Sequence, residues 1–235
     1  MCAWSEPEPA DVAGEAALLR LLQLTSPALP VGAFAYSQGL EWAVEAGWVT
    51  DERSAGEWIG GLLEHSLARA DVPVFARLHR AWREAAEPEV EYWNAWLGAV
   101  RESAELQAED RHLGAALARL LADLGEERAR AWAGRGDAGF ATLFALAAVS
   151  WGIPVRSGAL GLLWAWTENQ VAAATKLIPL GQTAAQRLLS ALQRRMPAAV
   201  ERGLELDEAV MGMGAPGLAL AGALHETQYT RLFRS

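Results

Sequence analysis

Four stretches of this chain carry side chains whose types and spacing could do chemistry. Between Ser26 and Glu41, SPALPVGAFAYSQGLE sets Phe34 and Tyr36 among small residues. Pro27 and Pro30 stiffen this loop, and Gly32 and Gly39 permit close backbone approach. Such a loop either presents Tyr36 as an anchor to a partner or packs over a helical core. In RESAELQAED, residues 101–110, Glu102, Glu105 and Glu109 stand at i, i+3 and i+7 and form one acidic column on a helix. That column could meet a basic partner, form an interhelical ion pair with an arginine, do acid–base work, or be a solvated face. In ENQVAAATKLIPLGQTAAQ, residues 168–186, Glu168 and Lys176 share a helix face but lie roughly 12 Å apart, too far for a direct salt bridge. Lys176, the sole lysine, could act as a Schiff-base nucleophile, though such a residue more often snorkels or pairs with a carboxylate. In HETQYTRLFRS, residues 225–235, Arg231 and Arg234 alternate with Tyr229, Leu232 and Phe233, the types that anchor interfaces. A segment this short does not fold alone. It either orders on a partner, docks on its own core, or frays.

Other chemistries lack their residues. The sequence has no G-x-x-x-x-G-K-[ST] phosphate loop, no G-x-G-x-x-G opening a strand–helix unit and no G-x-S-x-G. His65, His79, His112 and His225 are scattered and form no H-E-x-x-H or i,i+4 pair. With Cys2 as the single cysteine, neither a disulfide framework nor a multi-cysteine metal site is expected.

The elements that must position these stretches read as helices. Leu18, Leu21 and Leu22 space a first helix over residues 11–24, and Thr50 starts another whose stripe is Trp58, Ile59, Leu62, Leu63 and Leu67. Asp71 and Pro73 open a helix to about residue 86, and a short Trp-rich helix follows Pro88. Leu106 to Leu124 mark an amphipathic helix over 102–124, closed by Gly125. Further helices are expected over 137–150, 157–178 and 181–204, with loops at AGRGDAG and MGMGAPG. No period-2 run of β-branched residues suggests a strand. The expectation is an all-α, single globular domain of about nine or ten helices over residues 11–224, preceded by a disordered acidic lead (1–10) and followed by a partner-binding segment (225–235).

The whole chain supports that frame. It has 235 residues, 52% of them hydrophobic, so general disorder is excluded. The net charge of −9 argues against nonspecific nucleic-acid binding. The lead has neither the basic nor the apolar part of a signal peptide. The 17 residues from Gly139 to Val155 carry no charge, but Ser150, Gly152 and Pro154 interrupt them, so a buried helix is expected rather than a membrane span. A soluble cytoplasmic protein is the expected class.

LLQLTSPALPVGAFAYSQGLEWAVEAGWV, RESAELQAEDRHLG, WTENQVAAATKLIPLGQTAAQRLL and HETQYTRLFRS, in this order from about Leu18 to Ser235, resemble the UreF family of urease accessory proteins. The resemblance implies an all-helical cytoplasmic adaptor, commonly a homodimer, with no catalytic residues, resident cofactor or metal ligands of its own. The partners it implies are the accessory protein UreD (UreH in some species), the GTPase UreG and urease apoprotein, with GTP hydrolysis coupled to nickel delivery. The alternative is a direct activator of the partner GTPase acting through an arginine. The matching partner-binding positions are Tyr229, Arg231, Leu232, Phe233, Arg234 and Ser235, with Tyr36, Ser37, Gly39, Leu40 and Glu41 near the N-terminus. Lys176, Leu177, Pro179, Leu180, Gly181 and Gln182 match a third segment, expected at the core or on a partner-facing surface. Ala35 stands where many relatives have serine.

Overall fold

A computed structural model describes residues 9–212 and 214–235, which form helices, turns and loops without a strand. The expected lead over 1–10 lies, up to residue 8, outside the described residues. Twelve α-helices are present among the described residues. They are α1 (Pro9–Leu24), α2 (Leu40–Glu45), α3 (Glu52–Leu62), α4 (Asp71–Arg83), α5 (Glu87–Ala99), α6 (Ala104–Asp123), α7 (Glu127–Ala133), α8 (Phe140–Ser150), α9 (Val155–Leu177), α10 (Gln182–Gln193), α11 (Met196–Leu204) and α12 (Pro216–His225). A 3-10 turn at Ala33–Ala35 precedes α2, and a π-helical segment, Leu63–Leu67, continues α3.

The count exceeds the expected nine or ten for local reasons. The stretch 181–204 divides because Pro197 sits in the first turn of a new helix, α11, where its missing N–H costs nothing. The short α7 has few apolar positions, and α12 has almost no polar ones, so neither shows a period. The helix expected to start at Thr50 is capped instead by Asp51: its side chain accepts from the Ser54 amide while the Ser54 hydroxyl accepts from the Asp51 amide, a reciprocal capping box.

The axis of the fold is α9, 23 residues long, which packs on α1, α2, α3, α4, α8, α10 and α11. Two buried apolar clusters meet along it. Its first half, through Ala159, Leu162 and Leu163, joins the larger cluster built by α4 to α8. Its second half, through Val171, Ala173 and Ala174, joins α2, α3 and α10. The uncharged helix α8 buries Ala141 through Ala148 without a break, and no helix of the described residues is long and apolar enough to cross a membrane. Leu21 packs on the core, but Leu18, Leu19 and Leu22 leave an exposed apolar strip on α1.

Candidate functional site

The C-terminal segment lies on the body, in a seat made by α2, α6 and α12. The backbone before α2 turns sharply to make room for it. Gly39 adopts φ +75°, and a Cβ there would stand 3.0 Å from the Ala221 Cβ of α12, so glycine both permits the turn and lets α12 close in. Gln38 shares the left-handed backbone at φ 53°.

This turn aims Glu41 inward from the first turn of α2. One Glu41 oxygen accepts the Leu232 amide at 2.6 Å, and the other accepts the Phe233 amide at 2.9 Å. Beyond them, the Arg234 amide donates to the Ala35 carbonyl (2.9 Å), and the Ser37 amide and hydroxyl both donate to the Ser235 carbonyl (2.8 and 2.5 Å). Phe233 enters the smaller apolar cluster, and the Lys176 ammonium lies 5.3 Å from its ring centre.

The acidic column supplies the other wall. Glu105 accepts from the Arg231 guanidinium at 2.6 Å. Glu109 is buried and accepts from the Gln38 side-chain amide (2.7 Å) and the Ser235 hydroxyl (2.8 Å). Burial raises the Glu109 carboxyl to about 7, against the pull of those two hydrogen bonds and of Arg101. Glu102 precedes α6 and is exposed. His225, at the end of α12, is fully buried between Glu105 Oε2 (2.6 Å from Nδ1) and Glu41 Oε2 (3.2 Å from Nε2).

Behind the seat is a cavity of about 100 Å³ lined in part by Gln38, Asp71, Arg101, Glu109, Asp110 and Trp166. Arg101 bridges Asp71 (2.6 Å) and Asp110 (3.7 Å). Burial opposes the Arg101 charge, but those carboxylates outweigh it and hold its pKa above the ordinary value. The Asp110 carboxyl is pushed up by burial, with Arg101 pulling the other way. Among the described residues, no group of three or more His, Cys, Asp and Glu is placed to hold a metal ion.

Thus Ser37, Gly39, Glu41, Arg231, Leu232, Phe233, Arg234 and Ser235, far apart in sequence, come together at one place. Tyr36 is buried beside them, its hydroxyl 3.0 Å from His112 Nδ1 and its carbonyl accepting from Asn169. The exposed aromatic of that loop is Phe34, at 70%. Tyr229 is fully exposed, and Leu232 turns its side chain outward although its amide faces in. Lys176 and Pro179, with Gly181 and Gln182, lie on the exposed surface rather than in the core. Sequence reasoning missed His225 as a structural partner, because its two carboxylates are 184 and 120 residues away.

The family profile described as UreF matches residues 49–193, from just before α3 to the end of α10. A protein of Alkalilimnicola ehrlichii is 54% identical over 216 residues, 92% of this chain and 95% of its own. One of Chromohalobacter salexigens is 50% identical over 228 residues, 97% of this chain and 99% of its own. One of Psychrobacter cryohalolentis is 49% identical over 231 residues, 97% and 98% respectively. All three carry the name urease accessory protein UreF.

Proposed function

The chain belongs to the UreF family of urease accessory proteins, and from that premise we propose that it is a non-catalytic adaptor in urease maturation. In this reading it works as a cytoplasmic homodimer. It binds UreD (UreH), recruits the GTPase UreG and docks the assembly on urease apoprotein. GTP hydrolysis by UreG then drives nickel into the urease site, with nickel as cargo.

One observation carries the reading: the C-terminal segment has two faces. Its inward face, Phe233, Ser235 and the Leu232 and Phe233 amides, is fixed to the body. Its outward face leaves Tyr229 and Leu232 uncovered, with Phe34 exposed on the loop that binds the Arg234 amide. Exposed aromatic and aliphatic side chains on a fixed backbone suit an interface, because little conformational entropy remains to be lost on binding. The test is co-purification of UreD with the full chain and with the Tyr229→Ala, Leu232→Ala pair. The pair should lose at least about tenfold in affinity, an interface anchor being worth about 2 kcal/mol. Undiminished binding would remove the outward face from the interface.

Direct activation of the partner GTPase is favoured by one feature only. Arg231 is occupied by Glu105, whereas Arg234 is exposed and its guanidinium makes no hydrogen bond or ion pair among the described residues. An arginine finger raises turnover by roughly 10³–10⁵-fold. GTP turnover by UreG in the complex, with and without Arg234→Ala, separates an activator from an adaptor.

A further inference from the structure

The cavity behind the seat has a charge surplus in its wall. Among the described residues that line it, Asp71, Glu109 and Asp110 face one cation, Arg101. Arg101 is spent chiefly on Asp71, donating to both its oxygens (2.6 and 3.2 Å), and stands 3.7 Å from Asp110. While Asp71 and Asp110 are ionised, the balance is negative whether or not Glu109 holds a proton. Surplus charge in a buried place is costly unless a counter-charge joins it. Acceptors are also to spare. Asp110 Oδ1 accepts the Phe140 amide at 3.3 Å, and its Oδ2 accepts no hydrogen bond among the described residues. Ser66, on the π-helical segment after α3, lines the cavity at 1% exposure, and its hydroxyl makes no hydrogen bond among the described residues. An unpartnered hydroxyl inside a fold points to something that fills the space beside it. Much of the remaining wall is apolar, with Leu67, Leu113 and Leu162 in it.

We infer that this cavity binds a small primary ammonium ion with a short alkyl group, its –NH₃⁺ toward Asp110 and Ser66 and its alkyl group against the leucines. The charge sum calls for a cation, and the spare acceptors call for N–H donors. A bare metal ion suits the wall less well. Among the described residues no group of three or more His, Cys, Asp and Glu is placed to hold one, and an ion makes no use of the apolar wall. Size sets the length of the alkyl group. An apolar cavity of about 150 Å³ holds benzene, with six heavy atoms, so about 100 Å³ holds about four, the size of n-propylammonium. The inference goes beyond the adaptor reading and stands without it.

The experiment titrates the full chain, labelled with ¹⁵N, with n-propylammonium chloride at constant ionic strength. Four heavy atoms allow a Kd no tighter than about 0.04 mM, so the titration runs to about 50 mM. Expected are saturable shifts of the Ser66, Asp110 and Asn169 amide signals, and a rise in unfolding temperature over the same range. 1-Propanol has the shape without the charge, and tetramethylammonium has the charge without an N–H. Each should bind at least about tenfold more weakly, because each lacks the charge-assisted hydrogen bonds. Asp110→Asn should cost a similar factor, and Ser66→Ala, which leaves Arg101 and its carboxylates untouched, a smaller one. If Asp110→Asn does not fold, Ser66→Ala and the ligand series on the unaltered chain decide the matter. No saturable response, 1-propanol binding equally well, or an affinity unchanged by the substitutions would each overturn the assignment.

Discussion

Replacing Glu109 by glutamine should stabilise this protein at pH 8 and have little effect at pH 4.5. The carboxyl is 3% exposed, and its pKa moves from the ordinary 4.5 to about 7, first because burial penalises the charge. The sign follows from linkage. The folded value lies above the unfolded one, so the fold binds the proton more tightly; the stability this contributes is present below 4.5 and lost as pH rises to about 7. At about 1.4 kcal/mol for each tenfold change in proton affinity, the charged form burdens the fold by about 3 kcal/mol at pH 8. Glutamine has the same shape and no charge. Its carbonyl can accept from the Gln38 amide, which must point that way because the other Gln38 atom already accepts from Trp166 at 2.6 Å. Its amide can donate to the Ser235 hydroxyl, which reverses by rotating. Thermal unfolding at the two pH values reads the effect: a gain of up to about 3 kcal/mol at pH 8 corresponds to roughly 6–12 °C for a chain of this size. A variant no more stable than the parent at pH 8, or one with the same difference at both pH values, would refute the reasoning.

Three further perturbations probe other parts of the fold. Gly114→Ala would set a Cβ 1.9 Å from the Ala138 carbonyl oxygen, a backbone atom that cannot swing aside, so urea unfolding should show a loss of about 3 kcal/mol or more. Asp51→Ala removes one half of the capping box of α3 and should cost about 1 kcal/mol by the same measurement, without changing the far-ultraviolet circular dichroism of the folded state. Arg101→Met leaves Asp71 and Asp110 buried without their cation; the loss should be about 3–5 kcal/mol near neutral pH and should shrink in acid as the carboxylates take up protons.

What could be read from the sequence was whatever depends on near neighbours. The apolar spacing of α6, the buried character of α8 and the breaks at Pro154 and Pro179 are local, and the helices follow them. The cap of α3 is Asp51 and not Thr50 because the Asp51 carboxylate accepts the Ser54 amide; the Ser54 hydroxyl accepts from the amides of both residues and does not separate them. The seat was only half legible. Glu102, Glu105 and Glu109 read as one acidic column, but only the last two lie on α6, and their spacing is the same for a solvated face and for a wall that grips Arg231 and Ser235. Tyr36 and Phe34 are two residues apart in one loop, and nothing local shows that the first is buried and the second exposed. His225 looked idle because its meaning lies wholly in Glu41 and Glu105. Tertiary folding brings them together, and no motif spacing encodes that.

The division of labour in the seat explains why its centre is polar. One apolar anchor, Phe233, can hold a peptide down, but the hydrophobic effect has no direction and does not fix a register. Glu41 does: it accepts two successive amides, and Ala35 and Ser37 then take the next N–H and the last carbonyl in order. Sliding the segment by one residue would leave a buried carboxylate and several backbone groups unpaired, a cost of about 1–3 kcal/mol each. Register therefore comes from the hydrogen bonds and adhesion from the phenyl ring. Because the inward contacts are largely to the main chain, the outward side chains Tyr229 and Leu232 are not needed for docking. Leu232 is held in place by its own amide while its side chain stays exposed.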